Sequence, residues 1–310
     1  MSEEFILKEE IKIRLEQIVG SESVKTDEPM SLHTTFRIGG KADYFVLPKT
    51  GEQIKELIAY CKQEEIAYYI IGNGSNLLVG DKGFRGVIIQ VDRGFGAVTF
   101  IDEQTVKAQA GVMLSKLAAE VADKELTGFE FASGIPGTLG GAVYMNAGAY
   151  GGEIKDCIVS ALVLDEKNEM KTLSKEELEL TYRNSAVAKK GYIVLEAIFH
   201  FEKGEKEAIL SKMADLNAQR REKQPLNFPS AGSTFKRPEG HFAGKLIMDA
   251  GLRGYRIGGA MVSEKHCGFV VNVENATAAD VTMLMEEVDK IVFEKFEVHL
   301  EPEVRFLGDF

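Results

Sequence analysis

The chain is short of the residues that mark disulfide-stapled, zinc-bound or disordered proteins. Its three cysteines, Cys61, Cys157 and Cys267, are scattered through 310 residues with no C-x-x-C spacing. That argues against a disulfide framework and a thiolate zinc site, and leaves them as ordinary buried thiols with no metal to hold. Proline numbers 7 against 31 glycines, so the glycine excess lacks the proline enrichment of disorder and belongs in the loops of a globular protein. No segment approaches the ~18 apolar residues of a membrane span, and the opening MSEEFILKEEIK has no basic stretch ahead of an apolar one; both features predict a cytoplasmic protein without a membrane partner. No internal repeat or low-complexity segment is visible. A net charge of −11 disfavours nucleic acid as a partner. The charge is unevenly spread, because Phe201 to Val270 holds twelve Lys and Arg against eight Asp and Glu. That local excess suits an anionic substrate.

What the chain has in plenty is glycine, concentrated in IGNGSNLLVG (Ile71 to Gly80) and ASGIPGTLGGAVYMNAGAYGG (Ala132 to Gly152). Such segments leave backbone N–H groups uncovered and can cradle phosphate. One of them alone is explained equally well by turns and bulges. Two together suggest a diphosphate gripped from both sides, with Pro136 stiffening the second. Gly72 and Gly74 give G-x-G, but Leu77 stands where a dinucleotide fingerprint needs its third glycine, and no Lys-Ser or Lys-Thr pair follows. Both the Rossmann and the P-loop patterns are therefore disfavoured.

Helical spacing of Leu7, Ile11, Leu15 and Ile18 predicts an amphipathic helix over Glu4 to Val19, and Ile54, Leu57, Ile58 and Cys61 predict another over Glu52 to Glu64. Strands are expected at Tyr68 to Ile71, Val87 to Val91, Thr105 to Ala110, Ile158 to Leu164, Tyr192 to Phe201 and Gly268 to Val273. Further helices are expected at Leu114 to Ala122, Lys206 to Glu222, Lys245 to Ala250 and Ala278 to Lys295, the last capped by Thr277 with a stripe of Leu284, Met285, Val288, Ile291 and Val292. Ser174, with Glu177 three residues on, has the form of a capping box and predicts a short helix there. The alternation gives an α+β protein of three lobes.

Several segments stand in a telling order: TTFRIGGKADY (Thr34 to Tyr44), IGNGSN, GIPGTLGG with its NAGAYG tail, YRNS (Tyr182 to Ser185), RREKQP (Arg220 to Pro225), SAGSTFKRP (Ser230 to Pro238), IGGAMVSEKHCGFVVN (Ile257 to Asn272) and LEPEVRFLG (Leu300 to Gly308). In this the chain resembles the UDP-N-acetylenolpyruvoylglucosamine reductase family over about residues 30 to 308. The resemblance implies a two-lobed FAD-binding domain of the vanillyl-alcohol-oxidase or para-cresol-methylhydroxylase type, with lobes at 1–92 (joined by 303–310) and 93–222, then a substrate lobe at 223–302. It implies non-covalent FAD as cofactor, NADPH as co-substrate, and reduction of the enolpyruvyl group of UDP-N-acetylglucosamine-enolpyruvate to UDP-N-acetylmuramate for peptidoglycan, by a monomer.

Residue by residue, the family's arginine falls on Arg183, its proton-donating serine on Ser233 and its glutamate on Glu303. FAD contacts fall on Gly72, Asn73, Gly74, Ser75 and Asn76, on Gly134, Ile135, Pro136, Gly137, Thr138, Gly140, Gly141 and Asn146, and on Arg220. Substrate contacts fall on Lys223, Lys236, Arg237, Arg253 and His266. Only 49 residues separate Arg183 from Ser233, too few for the tyrosine-bearing loop that one branch inserts there, so the chain resembles the shorter, type II branch. Two other readings stay open: another flavin oxidase or dehydrogenase of the same fold, and a non-catalytic sugar-nucleotide sensor.

Overall fold

The computed structural model describes the chain from Glu3 to Phe310, with side chains from Ile6 onward. The chain divides into two compact units, each built from three separate stretches: the chain up to Thr26 with Tyr44–Asn73 and Val87–Arg220, and Asp27–Asp43 with Gly74–Gly86 and Arg221–Phe310. One apolar core runs from Leu15 to Phe201 through the first unit. The expected lobes at 1–92 and 93–222 thus share a core, and residues 27–43 and 74–86 group with 221–310. Alternating helices and strands signal which elements form but not which faces meet.

The first unit is centred on a five-stranded antiparallel sheet in the order Met170–Ser174, Ile158–Leu164, Ile193–His200, Thr105–Gln109, Val98–Phe100. Along the middle strand Leu195, Ala197 and Phe199 are buried while Glu196, Ile198 and His200 are less so, the period of two that a sheet with one covered face imposes. Ala197 stands between Ala108 and Ala161. Small side chains in that row let helix Leu139–Tyr144 come close, with Gly140 donating its N–H to Ala110 O at 2.8 Å. Tyr68–Ile71 runs parallel to strand Phe84–Gln90, Tyr68 opposite Val87 and Ile71 opposite Gln90.

Helix Gly51–Gln63 starts where Thr50 Oγ1 accepts from Gln53 N–H at 3.1 Å, and it buries the expected face, Ile54, Leu57, Ile58 and Cys61. Burial pushes the thiols of Cys61 and Cys157 up to about 12, which leaves them inert. In helix Glu3–Val19 only the later part of the stripe is covered: Leu15 and Ile18 are buried, whereas Leu7 is 57% exposed. At Ser174 the reciprocal bonds of a capping box form, Ser174 N–H to Glu177 Oε2 at 2.9 Å and Glu177 N–H to Ser174 Oγ at 3.3 Å, yet they close a turn at the end of strand Met170–Ser174. The helix expected there is replaced by Ala186–Lys190, capped by Ser185.

The second unit packs helices Ala243–Asp249 and Ala278–Phe296 in a common core with the three-stranded antiparallel sheet Arg256–Ile257, Ala260–Val262, Val270–Asn272. The longer helix buries Val281, Leu284, Met285, Val288 and Val292. Its start is capped twice, by Thr277 with Asp280 and by Asp81, whose carboxylate accepts from Ala278 N–H at 2.8 Å and Ala279 N–H at 3.0 Å. Arg305–Leu307 lies parallel to Leu77–Val79, which draws the end of the chain beside the first glycine segment.

Candidate functional site

In the first unit the two glycine segments meet directly. A Cβ on Gly72 would fall 2.0 Å from Thr138 Oγ1, and Asn73 Nδ2 donates to Pro136 O at 2.7 Å. Gly134 lies against helix Lys206–Lys223, where a Cβ would stand 2.6 Å from Asn217 Oδ1 and 3.1 Å from Arg220 Cδ. Most of these glycines are therefore small because neighbouring protein needs the room. Gly141 differs: the nearest atom to a Cβ there is Thr138 Oγ1 at 3.9 Å, so the space above it is open. Beside this corner, Arg220 is pulled out of water, burial pushes its pKa down, and no carboxylate pairs with it among the described residues. A guanidinium so placed calls for an anionic ligand, and a phosphate takes its planar fork well. Open glycine surface and an unneutralised cation together fit a dinucleotide diphosphate.

Asn146 has a different environment. Its side chain is wholly buried, Nδ2 donating to Glu153 Oε2 at 2.8 Å and to Thr181 O at 3.1 Å, Oδ1 accepting from Lys155 N–H at 3.0 Å. Both amide hydrogens and one lone pair of the oxygen are thus used inside the protein, so the side chain braces the loop.

Arg183 sits in a tight reversal in which Thr181 and Asn184 exchange both backbone hydrogen bonds, at 3.0 and 3.2 Å. Its φ of 53° is left-handed, a conformation that a long side chain adopts only where its surroundings hold it. The guanidinium lies 5.1 Å over the Tyr182 ring and its Nη2 donates to Gly148 O at 3.5 Å. Between Arg183 and Ser233 the chain is spent on helix Ala186–Lys190, strand Ile193–His200 and helix Lys206–Lys223.

In the second unit, segments far apart in sequence converge on Ser233 and Glu303. Phe235 bridges Pro302, Glu303 N–H donates to Thr234 O at 2.8 Å, and Lys236 N–H donates to Glu301 O at 2.8 Å. Asn76 Nδ2 holds the Glu303 carbonyl at 3.0 Å. Gly74, at φ 58°, passes its carbonyl to Thr35 N–H at 3.3 Å, and Thr35 Oγ1 donates to Ser230 O at 2.6 Å. Ser233 is exposed and Glu303 half-buried. Thr234 went unnoticed in the sequence because an isolated threonine carries no pattern; it is buried, and its Oγ1 accepts from Val270 N–H at 2.8 Å.

The expected substrate contacts stand in different surroundings. Lys236 pairs with Glu301, and Arg237 lies 3.9 Å over the Phe242 ring. Arg253 donates to Glu264 O and reaches Met248 Sδ at 3.2 Å. His266 is half-buried, its Nδ1 accepting from Gly268 N–H at 3.1 Å while burial lowers its pKa, and Gly268 O in turn accepts from Thr234 N–H at 2.8 Å. Lys223 is exposed at the end of its helix. Next to it opens a cavity of about 650 Å³ with apolar walls at Leu226, Phe228 and Met261 and cations at Arg221 and Lys265. Those two cations were not singled out in the sequence, though both lie within the basic third of the chain.

A model of the FAD-binding domain matches residues 42–174, and the C-terminal domain model of UDP-N-acetylenolpyruvoylglucosamine reductase matches 224–307. Over 298 residues, 95% of this chain and 96% of the relative, the sequence is 57% identical to the UDP-N-acetylenolpyruvoylglucosamine reductase of Lachnoclostridium phytofermentans. The chain belongs to the UDP-N-acetylenolpyruvoylglucosamine reductase family. The Agathobacter rectalis reductase is 54% identical over 92% of this chain and 94% of its own. The crystal structure of the reductase from Thermus caldophilus superposes with a TM-score of 0.77 at 35% identity, covering 91% of this chain and 98% of that one. The α+β architecture with an FAD-binding domain ahead of the reductase C-terminal domain is that of the family. No helix among the described residues is long and apolar enough to cross a membrane.

Proposed function

We propose that Arg183, Ser233 and Glu303 carry the chemistry of this reductase. The protein is an FAD-dependent oxidoreductase that uses NADPH to reduce the enolpyruvyl group of UDP-N-acetylenolpyruvoylglucosamine to UDP-N-acetylmuramate in peptidoglycan synthesis. Bound FAD would supply the hydride chemistry, between NADPH and the terminal alkene carbon of the substrate. Backbone N–H groups of the two glycine segments, Gly72 to Asn76 and Ile135 to Gly141, hold the diphosphate, and Arg220 supplies the counter-charge.

As the alkene is reduced, negative charge spreads onto the conjugated carboxylate. Arg183, fixed by its turn, stabilises that charge as it develops, and Glu303 assists as an acid. Ser233 gives its hydroxyl proton to the carbon next to the carboxylate, and the cations of Lys236 and Arg237 offset the alkoxide left behind. The nucleotide end of the substrate takes the cavity lined by Arg221 and Lys265, where apolar walls suit a base and the cations suit a diphosphate. Every residue in this scheme comes from one chain, so a monomer in the cytoplasm suffices, with no nucleic-acid or membrane partner.

The observation that carries this reading is the pairing of the Ser233 and Glu303 segments through Thr234 O and Glu303 N–H, 2.8 Å apart. The purified protein is expected to be yellow, to bleach with NADPH under anaerobic conditions, and to regain its colour when UDP-N-acetylenolpyruvoylglucosamine is added. A protein that bleached but was not recoloured by that substrate would be a different flavin dehydrogenase; one that stayed colourless with added FAD would be a sensor.

A further inference from the structure

We propose that Asn146 is a positioning residue that holds Arg183 in place by tying its turn to the second glycine segment. The inference rests on Arg183 being the residue that stabilises the developing charge. Arg183 occupies a left-handed conformation in a reversal closed by two backbone hydrogen bonds between Thr181 and Asn184. The reversal is clipped at both ends to the same stretch of chain. At its start, Thr181 O accepts from Asn146 Nδ2 at 3.1 Å; just beyond its end, Ser185 Oγ donates to Tyr144 O at 2.6 Å while accepting from Ala188 N–H at 3.0 Å. Asn146 and Ser185 are both wholly buried, and Asn146 itself is left-handed at φ 45°.

The amide also acts on the guanidinium end. Its second bond goes to Glu153 Oε2, and the Glu153 carboxyl is held below its usual range by Lys155 first, against some cost of burial, with Asn146 and Arg183 adding to the effect. One side chain thus fixes both the backbone that carries Arg183 and the carboxylate that draws its charge. Only an amide can do this. A carboxylate at 146 could not donate to Thr181 O and would repel Glu153, and alanine would release both.

The test uses the flavin-loaded protein as Asn146→Ala, Arg183→Ala and the double variant. Asn146→Ala is expected to keep its flavin and to bleach with NADPH within about twofold of the parent rate, while the return of colour with UDP-N-acetylenolpyruvoylglucosamine slows at least ~10-fold, the scale of a misplaced group. The double variant should be no slower than Arg183→Ala alone, because a residue that acts through Arg183 has nothing left to position. In flavin-free Asn146→Ala the Asn184 amide should exchange with deuterium faster than in the parent. Multiplicative losses in the double variant, equal slowing of both phases, or unchanged exchange would overturn the proposal. Should Asn146→Ala not fold, Ser185→Ala cuts the other clip and must show the same non-additivity with Arg183→Ala. If Arg183→Ala left the recolouring phase unchanged, the role of Arg183 itself would fall, and exchange at Asn184 would still decide whether Asn146 holds the turn.

Discussion

Ser233 and Glu303 were legible in the sequence as members of motifs, but the link that joins their two segments was not. It lies in Thr234, whose carbonyl takes Glu303 N–H and whose hydroxyl takes Val270 N–H, and no spacing rule reveals such a hub. His266 shows the same limit. A lone histidine next to an apolar strand gave no sign that its Nδ1 would accept from Gly268 N–H. That bond needs the ring neutral, and burial lowers its pKa from 6.5. The unfolded chain takes up this proton near pH 6.5 and the folded chain only at lower pH, so within that window the unfolded state binds more protons and stability falls as pH falls. Urea midpoints measured at pH 7.5 and 5.5 should therefore drop on acidification in the parent, and drop less in His266→Gln. Parallel drops in the two proteins would show that His266 is not the group responsible.

At the scale of elements, long helices with a covered stripe were read correctly, because 19 residues of Ala278–Phe296 repeat the same signal and Thr277 caps it. Strands of two or three residues, such as Arg305–Leu307, were not, since their existence depends on a partner more than two hundred residues away. The capping-box sequence at Ser174 made its hydrogen bonds without a helix, so those local bonds alone do not decide whether a helix forms. The glycine segments were singled out for uncovered backbone, and the structure shows more than one cause for their glycines. Gly72 is small to admit Thr138, whereas at Gly141 a Cβ would have 3.9 Å to its nearest neighbour, Thr138 Oγ1. Two variants separate these causes. Gly72→Ala should lower the melting temperature of the flavin-free protein, since its Cβ would meet Thr138 Oγ1 at 2.0 Å and overpacking costs about 1–3 kcal/mol. Gly141→Val should leave that melting temperature within a few degrees yet weaken FAD binding at least ~10-fold, an effect of about 1.4 kcal/mol. Normal FAD affinity in Gly141→Val would mean the open space is not cofactor space.

At the scale of the whole molecule, composition placed the protein among globular proteins and the motif order named its family. Two cores are each assembled from three stretches of chain, an interleaving that no composition shift marks. Neither glycine segment contains a histidine, so acid precipitation should release all flavin into the supernatant, and flavin left in the pellet would argue for a covalent link. The central claim is that this chain reduces an enolpyruvyl group with Ser233 as the proton source. Rapid-mixing absorbance on Ser233→Ala tests it most directly, because bleaching by NADPH needs no proton from that hydroxyl and recolouring by UDP-N-acetylenolpyruvoylglucosamine does. The account predicts bleaching at nearly the parent rate and recolouring slowed at least ~10²-fold, the lower range for loss of a positioned acid; equal slowing of both phases, or of neither, would contradict it.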